Sequence, residues 1–181
     1  MPLVFLVGGA RSGKSAIALD LLARTGQPAV FVATAEARDE EMRDRIALHR
    51  AERPSVWRTV EAPRSLLGAL EEIDDEAPII VDCLTLWVAN LLEAGLDEEP
   101  ILNEAAAIAS LLAAREPPSI VISNEVGAGI VPMEQLSRRY RDLLGRVNVC
   151  VGRAADKTYY VAAGRVLPLS AASSIALARR R

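Results

Sequence analysis

The sequence is poor in the residues that build disulfide scaffolds and metal centres. Its 181 residues include only two cysteines, Cys83 and Cys150, and one histidine, His49. The cysteines are far apart and lack the close spacing of metal ligands, so we expect both to be reduced thiols. This composition favours a cytoplasmic protein over a disulfide-rich extracellular one.

Long apolar runs and an excess of basic charge are also missing. The first apolar run ends at Gly8 with no basic segment before it, and every later run is broken well before about 20 residues. We therefore expect neither a signal peptide nor a membrane span. Lys and Arg total 21 against 24 Asp and Glu, a net charge of −3, which is not typical of a nucleic-acid-binding protein. A small anionic ligand is compatible with this balance.

The length and the apolar content favour one compact domain. The chain is 51% hydrophobic and 25% charged, so it can bury a core, and domains usually contain about 100 to 200 residues. No internal repeat or long linker divides it. We therefore expect a single domain over residues 1–170 and a poorly ordered tail at 171–181.

Short apolar runs alternate with segments of helical pattern along most of the chain. The runs lie at residues 3–7, 29–33, 79–82, 120–123 and 159–162, and the helical segments at 13–24, 39–50, 64–73, 84–94, 101–115 and 133–147. Strands that are apolar throughout are typical of parallel sheets buried on both faces, so the pattern predicts an α/β fold with a mostly parallel sheet. Gly164 and Arg165 interrupt the apolar residues of 159–169, which predicts a short antiparallel C-terminal strand or hairpin, or a bent final strand.

The first predicted strand leads directly into a loop of the pattern G-x-x-x-x-G-K-[ST]. Its residues are Gly8, Gly9, Ala10, Arg11, Ser12, Gly13, Lys14 and Ser15, and a helical segment follows. Glycines in such a loop let backbone N–H groups approach phosphate oxygens, and the helix N-terminus adds partial positive charge. Lys14 would reach the β- and γ-phosphates, and the Ser15 hydroxyl would bind Mg²⁺. The order of strand, loop and helix predicts a three-layer P-loop fold that binds ATP or GTP, rather than a glycine-rich turn without a ligand.

Polar residues end two of the later predicted strands. P-loop enzymes place an acid at such a strand end to hold the Mg²⁺ shell, and Asp82 is the candidate, together with Ser15. Asp82 could also cap the helix that follows, and the two roles are compatible. Asn124 and Glu125 follow the next predicted strand and should lie at the same edge of the sheet, where Glu125 is a candidate for a kinase site or simply part of a turn.

The single histidine closes the helical segment at 39–50. At about 100° per residue, His49 lies on the same side as Ile46, so it should face the interior or a cleft. A hydrogen-bonded core histidine would fit this spacing. A neutral imidazole nitrogen can also attack phosphorus and form a covalent intermediate. Arg50 and Arg53 follow immediately, and they could bind phosphates or form a solvated helix end.

Several further motifs occur in a fixed order after the glycine-rich loop. They are A-T-A at 33–35, D-E-E-M…R-I…H-R at 39–50, R-P…W-R-T-V-E at 53–61, D-C-L-T-L-W…N at 82–90, S-N-E-V-G-A-G-I-V-P at 123–132 and R-D-L-L-G-R-V-N at 141–148. This ordered set, which covers most of the chain, resembles the bifunctional adenosylcobinamide kinase/adenosylcobinamide-phosphate guanylyltransferases of cobalamin biosynthesis.

The resemblance implies two successive reactions. Adenosylcobinamide would be phosphorylated with ATP or GTP, and GMP would then be transferred from GTP to the new phosphate through a guanylylated histidine, here His49, with Lys14 as the second catalytic residue. The nucleotide contacts that the resemblance implies outside the glycine-rich loop are Ala33, Thr34, Ala35, Arg50, Ala51, Glu52, Arg53, Glu61 and Asp82. It also implies Mg²⁺, a corrinoid substrate and a homotrimer.

Two other functions fit parts of the pattern. A P-loop small-molecule kinase would use the same loop with a purely structural His49. A nucleotide-gated regulatory ATPase or GTPase module would act on protein or nucleic acid and would require an exposed basic stripe. The arginine-rich segments at 138–146 and 179–181 are short, and the first is mixed with acid.

Overall fold

The computed structural model describes residues 3–74 and 76–174, apart from the side chain of Arg45. In that part of the chain the elements are β1 (Leu3–Gly8), α1 (Lys14–Ala23), β2 (Val30–Ala33), α2 (Glu40–Ala51), β3 (Arg58–Glu61), α3 (Leu66–Glu71), β4 (Ile79–Asp82), α4 (Leu84–Glu93), α5 (Glu98–Ala114), β5 (Ser119–Asn124), α6 (Gln135–Ala154), β6 (Lys157–Ala162) and β7 (Arg165–Leu169). A short 3₁₀ turn at Ala172–Ser174 follows.

The strands form one sheet in the order β3-β2-β4-β5-β1-β6-β7. All neighbouring strands are parallel except β7, which runs antiparallel to β6. The predicted mostly parallel sheet is therefore confirmed, and so is the C-terminal hairpin. Its turn consists of Ala163 and Gly164, whose φ angles of 50° and 72° suit the tight two-residue turn that joins twisted strands.

Strand β1 is buried completely and contributes to both faces of the sheet. Leu3, Phe5 and Val7 belong to one hydrophobic core, and Val4 and Leu6 belong to the other. Helix α1 covers the second core, whereas α3, α4, α5 and α6 cover the first, which gives three layers. Because alternate residues of a strand point to opposite faces, a strand between two cores must be apolar at every position. This is why the apolar runs of the sequence mark these strands.

Several boundaries differ from the sequence-based prediction. Helix α5 begins at Glu98, three residues before the predicted start, and α6 ends at Ala154, seven residues after the predicted end. The buried Val151 lies one helical turn beyond Val147, so the apolar face of α6 continues past the predicted end. Helix α3 is shorter than predicted, since it contains only Leu66–Glu71.

The sequence analysis also predicted a poorly ordered C-terminal tail and no membrane span. Residues 175–181 of the predicted tail lie outside the described residues. Among the helices of residues 3–74 and 76–174, none combines the length and the apolar character needed to cross a bilayer.

Candidate functional site

The glycine-rich loop joins the end of β1 to the start of α1 and surrounds the Lys14 ammonium group. Lys14 Nζ donates hydrogen bonds to the backbone oxygens of Gly8, at 3.0 Å, and Gly9, at 2.7 Å, and to the hydroxyl of Ser12, at 3.3 Å. Lys14 is 6% exposed, and burial lowers the pKa of its ammonium group, an effect partly offset by Cys83 and Asp82. The loop therefore holds a partly desolvated cation against its own oxygens, at the start of a helix, where an anion is favoured.

The C-terminal hairpin supports this loop from outside. The Gly164 N–H donates to the backbone oxygen of Ser12 at 2.9 Å, and a Cβ on Gly13 would lie 3.2 Å from the Gly164 Cα. A Cβ on Gly8 would lie only 2.2 Å from the Val161 oxygen of β6. The sequence analysis explained the glycines of this loop by the close approach of a phosphate to the backbone. In the structure Gly8 is required by a neighbouring strand, and Gly13 by its φ of 100°.

Asp82 ends β4 beside the start of α1. The Ser15 hydroxyl donates to Asp82 Oδ2 at 2.7 Å, so the two predicted Mg²⁺ ligands are in direct contact. The helix-cap alternative for Asp82 is wrong, because Cys83 occupies the N-cap position of α4. Within the described residues no cluster of three or more acidic, histidine or cysteine side chains could hold a metal ion. A carboxylate and a hydroxyl fit Mg²⁺, which usually completes its shell with phosphate oxygens and water.

His49 lies in the last turn of α2 and lines two cavities. The phosphate-loop cleft, about 640 Å³, is bounded by residues 10–16 of the loop and by Asp44, His49 and Glu52 of the α2 region. The inner cavity, about 290 Å³, is also bounded by His49, together with Phe31, Arg53 and Glu61. The imidazole is 39% exposed, so it is a cleft residue and not a core histidine. Its Nδ1 lies 3.3 Å from Glu52 Oε2.

The two arginines after His49 have different surroundings. Arg50 is exposed, and its Nη2 donates to Glu61 Oε1 at 2.9 Å. The Arg53 guanidinium lies 3.5 Å above the ring centre of Phe31 and donates to Thr59 Oγ1 at 3.0 Å. Burial lowers the pKa of Arg53, and its buried Nε has no hydrogen-bond partner among the described residues. Both arginines line the inner cavity, where Arg53 is a partly buried wall and Arg50 is an exposed side chain paired with Glu61.

In the A-T-A motif the middle residue has a structural role, and the two alanines beside it line a cavity. Ala33 and Ala35 line the inner cavity, whereas Thr34 is fully buried. The Thr34 hydroxyl donates to the Cys83 carbonyl oxygen at 2.7 Å and accepts from the Cys83 N–H at 2.8 Å. The Asn90 side chain donates to the Thr34 carbonyl oxygen at 2.8 Å. Thr34 therefore joins the ends of β2 and β4, and its hydroxyl is fully engaged within the protein.

The remaining predicted residues divide into those at the cavities and those away from them. Ala10 and Asn124 line both cavities, and Arg11 lines the phosphate-loop cleft. The Asn124 backbone is held on both sides, because its N–H donates to Thr85 Oγ1 at 2.7 Å and its carbonyl accepts from the Asn148 side chain at 3.0 Å. The exposed Ala51 lines neither cavity, and Glu125 lies in a separate groove between α5 and α6.

Some cavity residues were not anticipated from the sequence. They are Phe31, Ala37, Ile46, Thr59, Thr85 and Leu86. Phe31 is the clearest case, since a single aromatic residue inside an apolar strand has no signal that distinguishes it from core. Thr59 precedes Glu61 by two residues on the same strand, and side chains two apart share one face of a strand. That spacing was the only available indication.

Comparison with known proteins gives three curated relatives of nearly the same length. The family model described as "Cobinamide kinase / cobinamide phosphate guanyltransferase" matches residues 4–169. A bifunctional adenosylcobalamin biosynthesis protein CobP of Pseudomonas aeruginosa is 41% identical over 165 residues, which cover 91% of this chain and 95% of the relative. The CobU proteins of Escherichia coli and Salmonella typhimurium, also called bifunctional adenosylcobalamin biosynthesis proteins, are 39% and 40% identical over 90% of this chain and 96% of each relative.

A solved structure shares the fold at low identity. The crystal structure of the RadB recombinase superposes with a TM-score of 0.52 and 16% sequence identity, covering 88% of this chain and 73% of that one. At this identity the likeness supports the fold alone.

Proposed function

This chain belongs to the cobinamide kinase / cobinamide phosphate guanyltransferase family, and from that membership we propose that it catalyses both reactions of a bifunctional enzyme of cobalamin biosynthesis. In the first, adenosylcobinamide is phosphorylated with ATP or GTP. In the second, GMP from GTP is transferred to the new phosphate to give adenosylcobinamide-GDP. The observation that carries the proposal is that His49 lines both the phosphate-loop cleft and the inner cavity.

The phosphoryl transfer uses the glycine-rich loop. Backbone N–H groups of the loop bind the phosphates, and Lys14 exchanges its contacts with loop oxygens for contacts with the β- and γ-phosphates. Ser15 and Asp82 would hold Mg²⁺, which neutralises phosphate charge when it is bound. The transferred phosphoryl group is then positioned at the carboxyl end of the sheet, beside Asn124.

The guanylyl transfer proceeds through His49. An imidazole nitrogen attacks the α-phosphorus of GTP, a nitrogen–phosphorus bond forms, and pyrophosphate leaves with the electron pair of the broken P–O bond. Lys14 and the loop amides stabilise the negative charge on the leaving pyrophosphate. A phosphate oxygen of adenosylcobinamide phosphate next attacks the same phosphorus, and the electron pair of the N–P bond returns to the ring. Covalent catalysis thus divides one difficult transfer into two easier ones.

The inner cavity supplies the contacts for the guanine nucleotide. The carboxylate of Glu61 can accept hydrogen bonds from the guanine N1–H and exocyclic amine, and the cationic Arg53, whose Nε needs an acceptor, can bind an oxygen of the ribose or the phosphate. The small side chains of Ala33 and Ala35, which line the cavity, leave room for the nucleotide. Apart from Ala51, which lines neither cavity, the proposed nucleotide contacts remain those implied by the resemblance, with Thr34 acting through the backbone that its hydroxyl holds.

We also propose a cytoplasmic homotrimer. Both cysteines are free thiols, as the cytoplasm maintains them. Apolar side chains on the segment between β5 and α6 are exposed, with Ile130 at 97% and Met133 at 96%. Exposure of clustered large apolar residues favours an interface with another copy. Size-exclusion chromatography with light scattering tests this, and a monomer at micromolar concentration would contradict it.

The covalent intermediate is tested with GTP labelled at the α-phosphate. Wild-type protein should acquire label that is labile in acid and stable in alkali, as expected for phosphohistidine, and His49→Ala should acquire none while still phosphorylating adenosylcobinamide. Lys14→Ala should lose both activities, and mass spectrometry of the corrinoid products distinguishes the two steps. Label on His49→Ala would refute the assignment.

The two alternative functions give different outcomes in the same experiment. An unlabelled wild type that phosphorylates adenosylcobinamide would indicate a kinase with a structural His49. Nucleic-acid-stimulated hydrolysis without corrinoid turnover would indicate a nucleotide-gated module.

A further inference from the structure

Glu52 forms an ion-pair contact with the ring of His49. It occupies the C-cap position of α2, one turn after His49, and its Oε2 lies 3.3 Å from His49 Nδ1. The Glu52 side chain also borders the phosphate-loop cleft. No hydrogen bond or ion pair to Nε2 of His49 is found among residues 3–74 and 76–174. A carboxylate oxygen therefore lies within ion-pair distance of Nδ1, and no described residue has such a contact with Nε2.

We propose that Glu52 is a positioning residue for His49: its carboxylate accepts a hydrogen bond from Nδ1–H, so that Nε2 is the unprotonated nitrogen that attacks GTP. A neutral imidazole carries its proton on one nitrogen only, and a carboxylate can act only as an acceptor, so the contact selects the Nδ1–H form. This inference rests on the proposed guanylyl transfer. It gives Glu52 a role toward the nucleophile, beyond a contact with the nucleotide.

The arrangement also fits the charges that develop during the reaction. The lone pair of Nε2 forms the bond to the α-phosphorus, and the P–O bond to the leaving pyrophosphate breaks. Nδ1 keeps its proton throughout, so the guanylylated ring is a cation, and it lies beside the Glu52 carboxylate. When the acceptor phosphate attacks, the N–P electron pair returns to Nε2 and the ring becomes neutral again. A negative group at Nδ1 therefore stabilises the intermediate and needs no proton transfer.

The single histidine makes the protonation state directly measurable. Protein made without a polyhistidine tag and labelled with ¹⁵N at histidine gives the resonances of His49 alone, and at a pH where the ring is neutral the chemical shifts identify the protonated nitrogen. Wild type should carry the proton on Nδ1, and Glu52→Ala should shift it toward Nε2. Glu52→Gln, which keeps an acceptor oxygen, should retain the wild-type form in part.

The rate of labelling by α-labelled GTP provides the second measurement. At saturating GTP, Glu52→Ala should be labelled about tenfold more slowly than wild type, the value of roughly one hydrogen bond, and Glu52→Gln should recover part of that rate. Glu40→Gln is the matched control, because it removes an acid from the exposed first turn of the same helix, away from both cavities. It should match wild type in both measurements.

The outcomes separate this inference from the function on which it rests. A wild-type proton on Nε2, or wild-type labelling of Glu52→Ala, overturns the role of Glu52 even if GTP labels His49 normally. A wild type that acquires no label overturns the guanylyl transfer, and the NMR spectra still report whether Glu52 selects the form of the ring.

Discussion

Replacing Thr34 by valine should destabilise the protein strongly although valine has nearly the same shape. The Thr34 hydroxyl is both donor to and acceptor from the backbone of Cys83, at 2.7 and 2.8 Å, in a site with no exposure to solvent. The Cys83 carbonyl oxygen also accepts from the Trp87 N–H at 3.3 Å, so it keeps one partner in the variant. The Cys83 N–H keeps none among the described residues. The substitution thus leaves mainly one buried donor, the Cys83 N–H, without a hydrogen-bond partner.

The expected cost follows from that donor and from the lost hydroxyl bond. An unsatisfied buried N–H costs about 1–3 kcal/mol, and a typical hydrogen bond contributes about 1 kcal/mol, so Thr34→Val should lower the free energy of unfolding by about 2–4 kcal/mol. Thr34→Ser keeps the hydroxyl and removes one methyl group, which should cost about 1 kcal/mol. Against a typical total of about 5–15 kcal/mol, the difference between the two variants is easily measured.

Equilibrium unfolding in urea, followed by circular dichroism, measures both variants against wild type. A Thr34→Val protein within about 0.5 kcal/mol of wild type, or one more stable than Thr34→Ser, would refute the reasoning, because the valine would then have replaced both contacts without cost. The same pair tests whether Thr34 also contacts the nucleotide. If Thr34→Ser, which keeps the hydroxyl, were to lose GTP binding while remaining stable, the Thr34 methyl group would have a direct role toward the nucleotide.

Four further predictions concern the site and its supports. Gly8→Ala should lower the free energy of unfolding by about 3 kcal/mol or more, since its Cβ would lie 2.2 Å from the Val161 oxygen; urea unfolding against Gly9→Ala, which meets no atom, checks this. Burial raises the pKa of Cys83 to about 11, so a thiol reagent at neutral pH should modify Cys150 in native protein and Cys83 only after unfolding. Asp82→Asn should raise the Mg²⁺ concentration for half-maximal kinase activity by about tenfold, and an unchanged Mg²⁺ profile would contradict the assigned ligand. Lys14→Met should lose most of the stabilisation that GTP gives the wild type, measured as the shift in urea midpoint. The reason is that burial lowers the pKa of Lys14, so the charged ammonium group disfavours the folded state at neutral pH until a bound anion offsets that cost.

Local patterns in the sequence were enough to predict most of the fold. The buried strands are apolar at nearly every position, and Asp39 caps α2 by accepting from the Met42 N–H at 2.7 Å, as a helix start after that acid requires. Strand β3 was harder to predict, because it lies at the edge of the sheet and none of its side chains is fully buried. Its register is set by pairing with β2 and not by an apolar run of its own.

Some features of the site follow from a single segment of the sequence, and others depend on contacts between distant residues. The glycine-rich loop is contiguous, so its motif alone predicted the contact region around Lys14. The stacking of Arg53 on Phe31 and the bonds between Thr34 and Cys83 join residues that are 22 and 49 positions apart. No pattern within one segment encodes such pairs, since they arise only when β2, β3 and β4 are assembled side by side. The same holds for the support of the loop by Gly164.

The C-terminal hairpin contacts the glycine-rich loop even though it lies far from the loop in sequence. Its turn donates to Ser12, and β6 packs so closely on Gly8 that no side chain fits there. The family match ends at residue 169, the last residue of β7, and starts one residue after the first residue of β1. A phosphate loop binds an anion best when its backbone is already held in the binding geometry, and the hairpin contributes contacts that hold it. The residues of the family match therefore include both the glycine-rich loop and the hairpin that contacts it.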